Sequence, residues 1–350
     1  MTLAAPQADL APATTVAGAG RSRRGLALGL SAAVLLACVV ASIAFGARDV
    51  GLADIIDGLF AVDPQSVAAI AVRERIPRTA LALVAGAALG VAGALLQAVT
   101  RNPLADPGIL GVNTGASLFV VAGIAFAGIS TLQQYIWLAL AGAGVTAVFV
   151  YLIGSMGGGG ATPVKLALAG AATTAALTSL ISAILLPRID VMTVFRFWQV
   201  GGVGGATWEA MFTVAPFLLV GAVVALLSAR PLNVLALGDE VAVGLGVNTG
   251  RVRLVAGLAA VLLCGATTAV AGPIAFVGLM VPHAVRLLTG PDQRWILPLS
   301  AVAGAAVLTL SDVIGRVVGR PGELEAGVVT ALLGAPVLIA IARRTRMRAL

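Results

Sequence analysis

An all-α membrane protein of about ten transmembrane helices is the fold class this sequence predicts, and three observations predict it. Hydrophobic residues make up 59% of the 350-residue chain and charged residues only 11%, with a mean hydropathy of +1.05; soluble domains carry about 25% charged residues. The apolar runs are long. No charge occurs from Thr79 to Thr100, about the length a helix needs to cross roughly 30 Å of hydrocarbon. Glycine is abundant (43 residues) and aromatic content low (5%), as suits helices packed through small residues. Gly86, Gly90 and Gly93 fall at helical spacings inside that first run, so neighbouring backbones are expected to approach closely there.

Taken in order, the first twenty residues are Ala/Pro/Thr-rich, and 1–24 reads as a disordered tail. The membrane domain is 25–345, and 346–350 is a second short tail. Spans are predicted at 26–46, 79–99, 109–129, 134–154, 166–186, 210–228, 252–271, 273–289, 295–315 and 326–343. The seventh and eighth form one uncharged stretch, divided at Gly272-Pro273, where a helix should break. An even number of spans puts both ends on one side. With both ends cytoplasmic, fourteen of the 22 Lys and Arg residues lie inside and eight outside, the bias expected of an inner face. The outer arginines, Arg75, Arg78 and Arg316 among them, are more numerous than usual and need a reason of their own. A shared Gly-Ala and Val-Ala-Gly pattern at 86–93 and 265–272 hints at a repeat, but chance explains it equally well in a Gly/Ala-rich chain.

Several function classes are excluded. No catalytic constellation appears: the single histidine, His283, reads as packed or capping, and there is no HExxH, GxSxG or carboxylate cluster. Cys38 and Cys264 sit alone in apolar segments and read as core residues. No metal site and no cofactor is expected. The basic residues are scattered rather than clustered with aromatics, so nucleic acid is not a partner. Lys165 follows a glycine run at 157–160, but Val164 stands where a P-loop needs glycine. The spans hold no evident buried ion pairs of the kind coupled carriers use; Asp312 and Glu209 fall near span ends. With neither a nucleotide site nor an ion relay, the motor is expected on another protein.

The segment 230–253 is the longest polar interruption of the second half. Apolar Leu235, Leu237, Val241, Val243 and Leu245 alternate there with Gly238, Asp239 and Glu240. Two short helices broken at Gly238 would present an apolar, partly acidic knob. It could lie on headgroups, though two carboxylates would face an anionic surface, or it could dock a cytoplasmic motor.

These residues together resemble the permease subunits of bacterial iron–siderophore and vitamin B12 ABC importers, the ten-helix importer type. The resemblance runs from about Arg73 to Arg344. It rests on Arg75-Ile-Pro-Arg78, Gly86-Ala-Ala-Leu-Gly90, Arg101-Asn-Pro-Leu-Ala-Asp-Pro-Gly108, Leu110-Gly-Val112, Leu235-Ala-Leu-Gly238 and Gly272-Pro-Ile-Ala-Phe-Val-Gly-Leu279. It also includes Pro282-His283 with Arg286, Asp312-Val-Ile-Gly-Arg316 and Gly334-Ala-Pro336. Arg196-Phe-Trp-Gln199 and the 157–160 glycines are most similar to ferric enterobactin permease subunits. Glu325-Ala326 departs from the Pro-Val of many members and puts the geometry at the start of the last helix in question.

The resemblance implies a subunit of an ATP-driven importer in the cell inner membrane, moving a ferric siderophore, catecholate ahead of hydroxamate. Vitamin B12 and haem are the nearest alternatives, and an ion-coupled secondary carrier a remote one. ATP hydrolysis would belong to separate ABC ATPase subunits. The other partners would be a siderophore-binding protein and a paralogous permease subunit. Arg75, Arg78 and Arg316 match the positions that dock the binding protein. Loop 232–250 matches the coupling helices, with Leu237, Gly238, Asp239, Glu240 and Leu245 at the ATPase. Helices near 79–99, 166–186 and 273–289 would wall the pore. Asn113, Thr114 and Ser117 would either face the path or cap a helix.

Overall fold

In a computed structural model the chain folds into thirteen α-helices and a 3-10 turn, with no strand among the described residues, which are 16–61, 64–156 and 162–346. The helices are α1 (Val16–Ala44), α2 (Leu52–Phe60), α3 (Val67–Thr100), α4 (Val112–Ala127), α5 (Leu132–Ser155), α6 (Pro163–Leu185) and α7 (Ile189–Gln199). They continue with α8 (Trp208–Leu235), α9 (Asp239–Gly244), α10 (Thr249–Ala271), α11 (Val277–Thr289), α12 (Gln293–Val318) and α13 (Ala326–Arg346). Among the described residues seven helices are long and apolar enough to cross a membrane, and α4, α11 and the Ala326–Ile339 part of α13 are shorter apolar helices. Each of the ten predicted spans coincides with one of these.

Helix ends follow local chemistry. Side chains of Ser66, Thr131, Thr162, Thr207, Asn248 and Asp292 accept the first free backbone N–H groups of α3, α5, α6, α8, α10 and α12. Each such cap is worth about 1 kcal/mol. Gly272 takes φ +69° and ends α10 at the predicted break; a short irregular segment follows before α11.

Some boundaries differ from those read off hydropathy. Residues 16–24, read above as tail, lie in α1. The rest of that tail, the 157–160 glycines and 347–350 lie outside the described residues. α3 begins well ahead of Thr79, since the cap at Ser66 starts a helix that runs through Pro77. Loop 232–250 is not two short helices. α8 continues through Pro231 to Leu235, and α9 alone follows the break at Gly238, whose φ is +113°. α2 and α7, too short to register as spans, were not foreseen.

α3 is the central helix: 78% of its most apolar stretch is buried, against 11% for α1 and 22% for α6 and α8. It packs on α12, α10 and α11. A Cβ on Gly86 would overlap the backbone of Gly304, one on Gly90 the carbonyl of Ser300, and one on Gly93 the backbone of Gly278. The glycine spacing thus sets two helix–helix contacts, since dispersion falls away steeply with any gap.

Candidate functional site

The charged side chains gather at the two ends of the bundle. At the first, α1 stops, α3 begins and α12 ends. Asp312, fully buried, binds two arginines. Arg78 reaches Oδ1 with Nε at 2.9 Å and Nη2 at 2.8 Å, and Arg316 reaches Oδ2 with Nη2 at 3.0 Å. Arg78 also donates through Nη1 to Glu323 at 2.6 Å. Other guanidinium N–H groups of the cluster turn to the end of α1, while Arg316 Nε has no partner among the described residues. Arg316 Nη1 donates to the carbonyls of Ser42 (3.0 Å) and Phe45 (3.1 Å), and Arg75 to those of Ile43 (2.8 Å), Ala44 (3.1 Å) and Arg48 (2.9 Å). Arg320 donates to the carbonyl of Gly46 and pairs with Asp49 at 2.9 Å.

This arrangement has a simple cause. The last carbonyls of a helix lack intrahelical partners and carry partial negative charge. α1 has no basic residue in its last turn, so α3 and α12 supply the cations. At Gly46 the Arg75 guanidinium packs where a Cβ would stand, so a side chain there would displace it. Ser42 Oγ bonds Thr79 Oγ1 at 2.7 Å and also accepts from Arg316 Nη2 at 2.8 Å.

Two expectations meet this geometry. Buried ion pairs do occur within spans, because α12 continues to Val318 and α3 starts at Val67, which takes Asp312, Arg316 and Arg78 inside. And Arg75, Arg78 and Arg316 do lie together, but Arg316 is only 1% exposed and Arg75 6%, so both forks face into their own chain. Only Arg78 reaches the rim, through its contact with exposed Glu323. Beside it opens a cavity of about 400 Å³ lined by Arg48, Glu74, Arg75, Arg78, Arg316 and Glu323. Arg320 and Glu323 were missed. The four-residue spacing of Asp312, Arg316 and Arg320 is the signal that could have found the former. Glu325 caps the approach to α13, its carbonyl accepting from Val328 N at 3.0 Å. Burial pushes its carboxyl above the usual range, which Arg78 partly offsets.

At the opposite end, α9 is tied to the bundle through Asp239. Arg253 of α10 donates to both its oxygens at 2.9 Å, and Arg101, just past α3, bonds it as well as the carbonyl of Leu235 (2.7 Å). Burial acts to raise the Asp239 carboxyl, but the hydrogen bonds and charge of Arg253, with the charge of Arg101, hold it below its ordinary range. Leu237, Val241, Val243 and Leu245 are all at least half exposed, and Glu240 is exposed with them. The predicted apolar knob is therefore present, with Asp239 as its tether to the bundle.

Between the ends lies a polar cluster. Asn113 Oδ1 accepts from Thr268 Oγ1 at 2.9 Å and Cys264 Sγ at 3.5 Å, both on α10. The residue before α4 is Gly111, and no side chain caps that helix, so Asn113 is not a cap. Ser117 is buried and Thr114 half-buried. Asp106, in the turn between α3 and α4, accepts from Gly108 N at 2.8 Å; burial pushes its carboxyl up and that bond partly offsets the rise. Gln97 of α3 donates to the carbonyls of Gly278 and Leu279, at 3.3 and 3.0 Å. Of the helices expected to wall a pore, α3 is buried in this chain, whereas α6 exposes Thr178, Ser179 and Ser182. Cys38 and Cys264 are free and buried.

The sequence model of the FecCD transport family matches residues 34–344, taking in both charged ends and the polar cluster between them. The chain belongs to this family. Among its relatives, the ferric enterobactin transport system permease protein FepD of Escherichia coli is 43% identical over 89% of this chain and 93% of that protein. The iron(3+)-hydroxamate import system permease protein FhuB of Bacillus subtilis is 42% identical over 92% of this chain and 84% of its own length. A solved structure assigned to a metal-chelate type ABC transporter in an inward-facing conformation superimposes with a TM-score of 0.76. It is 25% identical and covers 91% of this chain and 99% of that one. The ten-helix permease architecture is therefore that of the family.

Proposed function

We propose that this chain is the membrane-spanning permease subunit of an ATP-driven importer that carries a ferric siderophore, catecholate type first, across the cytoplasmic membrane. The observation that carries the reading is the 43% identity to the ferric enterobactin permease protein along 89% of the chain. Both termini lie in the cytoplasm. The Arg78 end faces outward to a siderophore-binding protein, and the α9 end faces two ATPase subunits that hydrolyse ATP. A paralogous permease completes the pore, with the exposed hydroxyls of α6 on the side of the path or the partner.

The geometry supplies a mechanism. The apolar face of α9 seats in the ATPase, as buried apolar anchors carry most binding energy. Asp239 joins α9 to Arg101 at the foot of α3 and to Arg253 at the start of α10. A displacement of α9 therefore passes into the central helix and into the helix that holds Asn113, and rigid-body movement alters access along the path. At the other end Asp312 keeps the Arg78 fork, and a carboxylate of the binding protein contacts Arg78 at Nη1, the donor that Glu323 holds at the rim. Arg75 and Arg316 hold that rim in place.

The test is uptake of radiolabelled iron by cells lacking this chain and by vesicles containing it with its partners, offered as ferric enterobactin, a ferric hydroxamate, haem and vitamin B12. Ferric enterobactin uptake should fall on deletion and require ATP. Undiminished uptake on deletion, or full-rate transport by the chain alone, defeats the proposal; preference for another chelate changes the cargo and leaves the transporter class intact.

A further inference from the structure

The outer side of α5, α8 and α10 is apolar, with Val145, Phe149, Leu219, Val223 and Leu258 exposed. A groove of about 340 Å³ interrupts this wall between α5 and α10. Leu96, Val99 and Leu110 line it on one side, Val148 and Leu258 on its exposed edges. Its polar lining gathers toward one end: Thr100 at the close of α3, Thr249 and Gly250 in the first turn of α10, and Arg253 one turn on. Arg253 is the single charged residue of the lining. Its Nη2 is committed to Asp239, but its Nε, shut off from solvent, has no hydrogen-bond partner among the described residues. Arg251, exposed, lies in the same first turn of α10, whose free N–H groups add positive potential.

A slot that is apolar along its length and cationic at its end matches one kind of molecule in a bilayer. An acyl chain fills the slot, and a headgroup bearing net negative charge meets the cations. Zwitterionic lipid offers the same chain without the net charge, so charge complementarity selects between them.

We propose that this groove is a binding site for one anionic phospholipid, its acyl chain between α5 and α10 and its phosphate on Arg253 and the first turn of α10. The guanidinium then stands between the phosphate in the groove and Asp239, which holds it at Nη2. The lipid thus steadies the tether of α9 without touching α9. Arginine suits this bridging because its donors are fixed in one plane.

Native mass spectrometry of the full-length chain in detergent, titrated with phosphatidylglycerol and phosphatidylcholine of matched acyl chains, tests the site. Phosphatidylglycerol should bind about tenfold or more tightly, the effect of two basic side chains near a headgroup. Gly257 lines the groove, and a Cβ there meets nothing within 4 Å, so Gly257→Leu fills the slot with the fold intact. It should lower phosphatidylglycerol affinity about tenfold, the loss of a few buried methylenes. Arg251→Gln should narrow the preference for phosphatidylglycerol with little change for phosphatidylcholine. Equal affinity for the two lipids, or binding indifferent to Gly257→Leu, overturns the proposal. The measurement uses the chain without ATPase or siderophore, so its outcome is independent of the transport reading.

Discussion

Where α1 ends, three arginines converge on one buried carboxylate and a set of backbone carbonyls; where α9 begins, one half-exposed carboxylate is shared by two arginines beneath an uncovered apolar face. The first cluster has most of its donors bonded within the chain, Arg316 Nε being left without a partner among the described residues, and so fixes three helices to one another. The second leaves its hydrophobic residues without a partner and keeps only a light polar tether. Charge at the first end builds a rigid rim, and at the second it positions an exposed apolar surface. A buried carboxylate between two guanidiniums is costly to break, whereas exposed pairs contribute little.

Breaking the first end should therefore have the largest effect. Asp312→Ala strips buried Arg316 of its carboxylate and leaves Arg78 with Glu323 alone, and should lower stability by about 3–5 kcal/mol. Thermal unfolding in detergent reads this directly; an unchanged midpoint would erase the contrast between the ends. At the second end, Leu237→Ser with Val241→Ser should weaken ATPase association by about 2–4 kcal/mol if these residues are anchors. The melting of the isolated chain should shift by no more than about 0.5 kcal/mol, as for surface changes elsewhere. Co-purification with the ATPase at wild-type yield would remove the knob from the interface.

A smaller effect separates the rim from its supports. Arg78→Gln should cost the binding-protein complex about 1–3 kcal/mol, the range for a hydrogen bond to a charged group, and reduce its dependence on salt. Arg75→Gln should act on stability first, because its fork holds α1. Surface plasmon resonance at several ionic strengths distinguishes the two, and equal salt slopes for wild type and Arg78→Gln refute direct contact. The smallest effect is at Asp239. Its carboxyl is depressed in the folded chain, so its contribution is present at neutral pH and is lost as pH falls through the folded value. Asp239→Asn should cost under about 1 kcal/mol at neutral pH and nothing in acid. A difference from wild type that persists in acid would mean Asp239 acts other than as a charge.

The helical layout was legible because lipid imposes long apolar spans, and the contacts at Gly86, Gly90 and Gly93 were legible because only small residues permit them. The break at Gly272 could be read from Gly-Pro. The lengths of α1 and α3 could not, since polar turns at a membrane surface extend a helix without adding hydropathy. Nor could the inward turn of Arg75 and Arg316, whose partners are carbonyls between Ser42 and Arg48. A backbone oxygen leaves no mark on composition, and an arginine beside a helix end reads the same whether its fork faces solvent or a neighbour. Asp239 carried a clear acidic signal, but its grip by Arg101 and Arg253 depends on three segments meeting. Asn113 pointed to a polar interior, and its bond to Thr268 required the crossing of α4 and α10.

The manner in which α1 is fastened has one more consequence. It leans on α12 along its flank, yet among the described residues from Gly25 onward the polar fastenings to other elements are found in the few residues after Ala41. Trimming from the amino terminus should thus be borne well, like shortening a mast above its step. Lengthening the chain by even one residue between Ser42 and Arg48 would pull the carbonyls out of register with the cations and unship the whole spar.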